Sequence, residues 1–129
     1  MAEKIVLVDT SILIDYFRKS DKSNSKLISL TRAGYTFQIC VITEYEIYSG
    51  ATIEQIPYWQ EFLEKFKVLS FDSRAANDAV KINKALKVKR KQIAHSDLFI
   101  AAIAVSNNLP IATLNKKHFE RIEGLILVE

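Results

Sequence analysis

Short apolar runs of strand length alternate with segments of helical periodicity along the chain, and this alternation restricts the fold more than any other feature. The predicted strands are residues 4–8, 35–40, 68–71, 111–114 and 125–128. Two helical segments separate each of the first three strands from the next, and parallel strands need such long crossover connections. The alternation therefore predicts the α/β class, as a three-layer α/β/α sandwich with a central parallel sheet.

The segments between these strands have the apolar spacing of helices. They are residues 12–17, 23–32, 43–49, 53–66, 73–89 and 95–107. Thr10 or Ser11 is expected near the N-cap of the first helix, and Gly34 and Gly50 are expected to end the second and the third. A chain of 129 residues can bury one hydrophobic core, so we predict a single domain over residues 1–129.

Composition and charge restrict the setting in which the chain works. The 18 basic and 15 acidic residues leave a formal net charge of +3, which is compatible with a polyanionic partner but does not identify one. The single cysteine, Cys40, cannot form an internal disulfide, which favours a reducing compartment. Asp9 and Asp15 interrupt the N-terminal apolar segment, and no uncharged apolar stretch reaches the length of about 18 residues that a membrane span needs. We expect a cytoplasmic protein with no signal peptide and no membrane partner.

The first predicted strand ends in a carboxylate, Asp9, which is followed by the hydroxyls of Thr10 and Ser11. In open α/β sheets ligands bind beyond the carboxyl ends of the strands, so Asp9 lies where a functional group is expected. A haloacid-dehalogenase-type phosphatase would need a second aspartate where this chain has Ser11. A receiver domain would need an acidic pair at the end of its first strand. The sequence therefore disfavours a covalent aspartyl phosphate at Asp9.

Acids in two later helices are further candidates. Asp97 shares a helical face with Ile100 and Ala101, so it points into apolar packing, where a carboxylate needs a partner or a cation. The alternative is an acid that is stabilised by the dipole of the helix N-terminus. Glu44 and Glu46 point about 200° apart if their segment is helical, so at most one of them faces a given site. Periodicity does not decide between them, and either could be a solvated surface charge.

Two other features have more than one interpretation. Residues 87–91 (KVKRK) form the densest basic run, which is more typical of a solvated helix end than of a phosphate contact. Trp59 lies at helical spacing with Phe62, Leu63 and other apolar residues. Such a stripe is typical of a core, or of a surface between two copies of a chain.

Four short segments together resemble the PIN domain, specifically the VapC-like toxin ribonucleases. In chain order they are residues 8–15 (VDTSILID), 46–50 (EIYSG), 97–104 (DLFIAAIA) and 109–115 (LPIATLN), with Phe119 closing the last turn. Each segment is a weak pattern alone, but their order and spacing are specific together, and the resemblance covers nearly the whole chain. The family pattern of an acid four residues before a glycine selects Glu46 rather than Glu44.

The resemblance implies that Asp9, Glu46 and Asp97 form an acidic site for Mg²⁺ or Mn²⁺. No other cofactor is expected. Asn115 stands where many relatives have a fourth acid, and we include it among the catalytic candidates. Its amide offers a carbonyl oxygen but no negative charge, so a second ion would be held less tightly.

Other polar residues of these segments are given supporting roles. Thr10, Ser11 and Thr113 would orient the acids or a water molecule, or else serve only as helix-cap and strand residues. His118 departs from the acid that relatives commonly have before the phenylalanine, and we interpret it as a surface turn residue.

The resemblance also implies a function. We expect a metal-dependent endoribonuclease that leaves 3′-hydroxyl and 5′-phosphate ends on single-stranded or looped RNA, and acts as the toxin of a toxin–antitoxin pair. A cognate antitoxin and a homodimer are the expected protein partners. The alternative is a PIN-like module that binds RNA or protein with weak or no catalysis, and Asn115 keeps that alternative open.

Overall fold

The centre of the fold is a parallel sheet of four strands. A computed structural model describes residues 4–128 of the 129. The strands are β1 (Lys4–Val8), β2 (Tyr35–Cys40), β3 (Lys67–Leu69) and β4 (Ile111–Ala112). Their order in the sheet is β3-β2-β1-β4, and every pairing is parallel. The predicted domain limits of 1–129 include residues 1–3 and 129, which lie outside the described residues.

Seven α-helices flank this sheet within residues 4–128. They are α1 (Thr10–Arg18), α2 (Lys26–Arg32), α3 (Val41–Gly50), α4 (Ile56–Leu63), α5 (Ser73–Val88), α6 (His95–Ser106) and α7 (Lys116–Phe119). Short 3-10 turns precede α2 and α4, at Lys22–Asn24 and Ile53–Gln55. A search of the described helices for one long and apolar enough to cross a bilayer finds none.

Side chains of β1 alternate between the two faces of the sheet, and each face is covered by its own layer of helices. Val6 and Val8 pack with buried residues of α1, α2, α3 and α4. Leu7 points to the opposite face and packs with buried residues of α5, α6 and α7. A strand covered on both sides gives the continuous apolar run seen in the sequence. The predicted three-layer sandwich with a central parallel sheet is confirmed.

The strand predictions hold at the N-terminal end of the chain and fail toward the C-terminal end. β1 and β2 have the predicted limits, whereas the strand expected at residues 68–71 is Lys67–Leu69, and that expected at 111–114 is Ile111–Ala112. The strand expected at 125–128 is wrong, because Leu127 makes only one isolated parallel bridge to Ile111. A two-residue β4 offers too short an edge for a further strand to pair along it.

Most helix limits differ from the prediction by a few residues, and three of these differences have a clear local cause. Asp9, rather than Thr10 or Ser11, is the N-cap of α1, and its carboxylate accepts a hydrogen bond from the backbone amide of Ile12. A single residue therefore separates β1 from α1. Gly50 lies inside α3 instead of after it. The segment 53–66 is divided, because Pro57 lies in the first turn of α4, where its missing amide hydrogen is tolerated.

Two other sequence predictions concern a turn and a core. Gly34 follows α2 with φ +93°, the left-handed conformation that glycine adopts easily, as expected of a helix terminator. Trp59 is 2% exposed and packs in the cluster that contains Val6 and Val8. The Trp59 stripe is therefore part of the core.

The strand order leaves a crevice at the carboxyl ends of β1 and β4. These two strands are neighbours in the sheet although they are the first and last of its strands in chain order. The chain leaves β1 toward one face and leaves β4 toward the other. In open α/β sheets such a divergence marks the point where ligands bind. Asp9 directly follows β1 and Thr113 directly follows β4, so both lie at this crevice.

Candidate functional site

A cleft of about 650 Å³ opens at the carboxyl ends of β1 and β4. Most of the residues predicted from the sequence line it, namely Asp9, Thr10, Ser11, Glu46, Asp97 and Asn115. The rest of the lining consists of Ile14, Asp15, Arg18, Lys19, Ile100 and Leu114. Residues of three helices and two loops therefore line one cleft, and acids from distant parts of the sequence meet in it.

Asp9 is the most deeply buried acid of the cleft, with 2% of its surface exposed. The hydroxyl of Ser11 donates to its Oδ1 atom at 2.5 Å, and the backbone amide of Ile12 donates to the same oxygen at 3.4 Å. The hydroxyl of Thr113 donates to its Oδ2 atom. These three donors hold the carboxylate in one orientation.

The electrostatic state of Asp9 is set mainly by its burial. Removal from water raises the pKa of this carboxyl above its usual value, since the charged form loses its solvation. Hydrogen bonds from Ser11, Thr113 and Ile12 act in the opposite direction, and the negative charge of Asp97 raises the pKa further. Asp9 and Asp97 are therefore close enough to repel each other, which a cation between them would relieve.

Glu46 enters the cleft from α3, on the helix face that also carries Thr43 and Ile47. Thr43 and Ile47 are buried, so this face of the helix is fixed against the fold. The hydroxyl of Thr10 donates to Glu46 Oε1 at 2.6 Å and lies 3.3 Å from the hydroxyl of Thr43. Of the two glutamates that periodicity could not separate, Glu46 is the one that lines the cleft.

Asp97 lies in the first turn of α6, and its side chain is 16% exposed. Leu98 and residues 100–104 of the same helix are buried, so the carboxylate lies at the N-terminal end of a largely apolar helix. His118, expected to be a surface turn residue, lies with Nδ1 3.0 Å from Asp97 Oδ2. The sequence contains one indication that position 118 contributes to the site, because relatives commonly have an acid where this chain has His118. The contact itself depends on α7, which follows β4 and returns His118 to the cleft.

The hydroxyls of Ser11 and Thr113 connect the start of α1 to the loop after β4. Ser11 accepts a hydrogen bond from the backbone amide of Leu114 at 2.9 Å, and Thr113 accepts one from that of Asn115 at the same distance. Both hydroxyls also donate to Asp9. The loop that carries Asn115 is thereby fixed relative to the buried acid.

Sequence reasoning missed the charged residues at the rim of the cleft. Asp15 accepts a hydrogen bond from the backbone amide of Lys26 at 2.9 Å, and it pairs with Lys19 at 3.5 Å. Arg18, next to Lys19 at the end of α1, also lines the cleft. Residues four apart on a helix share a face, so Asp15 could have been placed near Lys19 from spacing alone.

The acids of the cleft have the chemistry of a site for a hard divalent cation, which prefers oxygen ligands. Within residues 4–128, no three acidic, histidine or cysteine side chains are arranged to bind one ion together. Mg²⁺ usually keeps several waters and uses one or two protein carboxylates. The cleft therefore fits an ion held directly by fewer than three side chains, and Asp9 and Asp97 are the pair whose mutual repulsion it would relieve.

Comparisons with known proteins identify the family of the chain. The PIN domain pattern matches residues 6–125. The chain is 35% identical over 124 residues to Ribonuclease VapC1 of Methanocaldococcus jannaschii, an alignment that covers 94% of this chain and 83% of that protein. It is 28% identical over 126 residues to the tRNA(fMet)-specific endonuclease VapC of Shigella flexneri, with 92% of each chain covered.

Solved structures give the same result for the fold. The structure of VapBC2 from Rickettsia felis bound to a promoter DNA fragment contains a chain that matches with a TM-score of 0.81 and 26% identity. That match covers 96% of this chain and 97% of the other. The segment that matches the PIN pattern contains the four sequence-predicted residues Asp9, Glu46, Asp97 and Asn115. The chain belongs to the PIN-domain family, and within it is similar to the VapC ribonucleases.

Proposed function

We propose that this chain is a divalent-metal-dependent endoribonuclease, with Asp9, Glu46, Asp97 and Asn115 as its catalytic residues. One observation carries the proposal: Asp9 directly after β1, Glu46 of α3 and Asp97 of α6 line a single cleft where ligands bind in this class of fold. The substrate class is supported by the similar proteins whose names describe them as a ribonuclease and a tRNA-specific endonuclease.

The neighbours of the acids support a role as ligands. Thr10 occupies Oε1 of Glu46, and His118 contacts Oδ2 of Asp97. Among residues 4–128, neither Glu46 Oε2 nor Asp97 Oδ1 has a hydrogen-bond partner. Partners that fix one oxygen leave the second oriented and available, which is how outer hydrogen bonds usually support metal ligands.

Asp9 and Asp97 would hold Mg²⁺ or Mn²⁺ directly, and Glu46 and the amide oxygen of Asn115 would hold it through bound waters. When bound, such an ion supplies a water of lowered pKa and offsets charge that develops on the phosphate. The protein itself orients the acids through their hydrogen bonds and excludes water from Asp9. Without a cation, the acids would repel an RNA phosphate from the cleft.

The Ser11 hydroxyl does not have the environment of a nucleophile. It donates its hydrogen to Asp9 and accepts one from the amide of Leu114, so it is already engaged both as a donor and as an acceptor. A serine nucleophile needs a base that removes its proton, and the carboxylate that accepts from Ser11 belongs to Asp9, which we propose as a metal ligand. Direct attack by water is therefore the mechanism we propose, with 3′-hydroxyl and 5′-phosphate products. Arg18 and Lys19 at the rim add positive charge where the phosphate approaches.

We further propose that the chain is the toxin of a toxin–antitoxin pair and forms a homodimer. The similar chain of Rickettsia felis was solved as VapBC2 bound to DNA, and a similar chain of Klebsiella pneumoniae was solved in a toxin–antitoxin complex. In this chain Tyr45 is 72% exposed beside Glu46, and an exposed aromatic is a frequent anchor for a protein partner. Co-purification with the product of a small adjacent gene tests the antitoxin. Sedimentation as a monomer at micromolar concentration would contradict the homodimer.

The central experiment compares the wild-type chain with Asp97→Asn on a panel of labelled RNAs, with Mg²⁺, Mn²⁺ or a chelator. We expect cleavage by the wild type only with metal, and a loss of at least about 100-fold in Asp97→Asn. Asp78→Asn, which changes an acid of α5 outside the cleft, is the matched control. Mn²⁺ should also raise the melting temperature of the wild type and of the control, but not of Asp97→Asn.

Two results would contradict the proposal. Equal cleavage by the wild type and Asp97→Asn would show that the reaction occurs elsewhere. RNA binding without cleavage in either metal would favour a binding module instead of an enzyme.

A further inference from the structure

A second groove lies beside α7 and is lined only by polar and charged side chains. Its lining consists of Arg90, Lys91, Gln92, Lys117, Glu120 and Arg121. Four of these residues are basic and one, Glu120, is acidic, so the local charge is strongly positive. We call this surface the basic groove.

The basic groove and the acid cleft are neighbours on the surface. A depression lined by residues 114–118 lies between them, since it shares Lys117 with the basic groove and Leu114 and Asn115 with the cleft. His118, in the same depression, reaches Asp97 at 3.0 Å. No acidic residue of the described chain lines this depression, so its charge favours a polyanion that extends from the cleft toward the groove.

Three cations of the basic groove have no hydrogen-bonding or ionic partner among the described residues. Within residues 4–128, the side chains of Arg90, Lys91 and Lys117 make no hydrogen bond or ion pair. Lys89, from the same basic run, differs because it pairs with Glu123 at 3.2 Å. The basic run seen in the sequence is thus divided between a helix end and the wall of the groove.

The backbone of Arg90 gives an independent reason to assign a function to its side chain. Arg90 has φ +56°, and the amides of Arg90 and Lys91 donate to the carbonyls of Lys87 and Leu86. This is the helix-terminating motif in which glycine usually occupies the left-handed position. The matching position after α6 is Asn108, with φ +53°, a residue that tolerates this conformation. Arginine is strained there, so it is less stable than glycine would be.

We propose that the basic groove binds the phosphate backbone of an RNA strand whose reacting phosphate lies in the acid cleft. This inference rests on the proposed ribonuclease function and adds the path of the substrate. Phosphate recognition needs mobile cations and little apolar surface, which the groove provides. A protein partner is less well matched, because interfaces between proteins usually have apolar or aromatic anchors and no apolar residue lines the groove.

The test uses Arg90→Gly, which removes the cation and also relieves the strained backbone. Affinity for a fluorescent single-stranded RNA is measured by anisotropy over a range of salt, with Asp97→Asn in every protein to prevent cleavage. We expect Arg90→Gly to bind about three- to tenfold more weakly, with a salt slope smaller by roughly 0.7 for one lost phosphate contact. Its melting temperature should be unchanged or about 3 °C higher.

Two variants serve as controls. Asn108→Gly makes the same backbone change at the end of α6, and Lys84→Ala removes one charge from α5 outside the groove. Both should keep the RNA affinity within about twofold. If Arg90→Gly binds the RNA with the same affinity and salt slope as its parent, the proposed role of the groove is wrong, whereas the ribonuclease function is unaffected. A lower melting temperature in Arg90→Gly would overturn that role too, since the arginine would then support the fold.

Two further outcomes separate the groove from the enzyme. If Arg90→Gly loses antitoxin binding and keeps RNA binding, the groove belongs to a protein partner and the proposal is wrong. If the parent protein binds no RNA, and the chain with Asp97 intact cuts none with metal, the proposed function itself fails.

Discussion

Replacing Thr113 with valine tests whether hydroxyl groups support the charge of Asp9. Thr113 is 2% exposed, and its hydroxyl donates to Asp9 Oδ2 and accepts from the amide of Asn115. Valine has nearly the same volume, so the substitution removes the donor without opening a cavity. Asp9 would retain only the two donors to its other oxygen, from Ser11 and Ile12.

The expected loss follows from the kind of hydrogen bond that is removed. A hydrogen bond to a charged group contributes about 1.5–3 kcal/mol to stability. We therefore expect Thr113→Val to lower the free energy of unfolding by about 2 kcal/mol near neutral pH without metal, or about 8 °C in melting temperature for a chain of this size. The amide of Asn115 adds little, because Asn115 is exposed and water can replace the hydroxyl.

Dependence on pH identifies the charge as the cause. Burial raises the pKa of Asp9 and the Thr113 hydroxyl lowers it again, so the valine variant has a higher folded pKa. The cost of the substitution is largest above that pKa, where Asp9 is ionised in both proteins. It declines as Asp9 becomes protonated, because a neutral carboxyl needs the donor less. Urea unfolding between about pH 4 and pH 8, without divalent metal, measures this profile.

Thr113→Ser is the control, since it keeps the hydroxyl and loses only a buried methyl group. It should cost about 1 kcal/mol at every pH. A valine variant whose cost does not change with pH would refute the reasoning. So would a valine variant that is no less stable than the serine variant at the alkaline end of the range.

Other expected outcomes concern the acids themselves. Glu46→Gln should slow RNA cleavage by about 100-fold or more while Glu44→Gln cleaves at the wild-type rate, as measured by single-turnover assays with labelled RNA. The metal-free protein should lose stability as the pH rises through the raised pKa of Asp9, because the unfolded chain releases that proton first. Asp9→Asn should remove this dependence in thermal melts. Asn115→Asp should tighten Mn²⁺ binding about tenfold by adding charge to the cleft, which calorimetry can measure.

The sequence was most informative where structure is determined by local residues. β1 is buried on both faces, so its apolar run has clear limits, and the acid that follows it lies at the sheet edge. The segment at 125–128 has a similar composition but forms one bridge only. Its state depends on the length of β4, which lies elsewhere in the chain. Strand pairing is thus a property of two segments, and a pattern in one does not determine it.

The candidate site shows the same division. The position of Asp9 follows from the fold class alone, whereas the choice of Glu46 over Glu44 needed the family pattern, because α3 is partly buried on several faces. The contact of His118 with Asp97 joins residues 21 positions apart through the placement of α7. No periodicity within either helix contains that information.

The adjacency of β1 and β4 has a consequence for the time at which the cleft forms during synthesis. Asp9 and its donor Thr113 are separated by 104 positions, so the ribosome adds the donor long after the acid. A domain generally folds as a unit, so this sheet is complete only after β4 has been made. A nascent chain that ends before Thr113 has an incompletely supported acid and lacks the loop that carries Asn115. The order of the strands therefore completes the cleft around Asp9 only after residue 113 has been made.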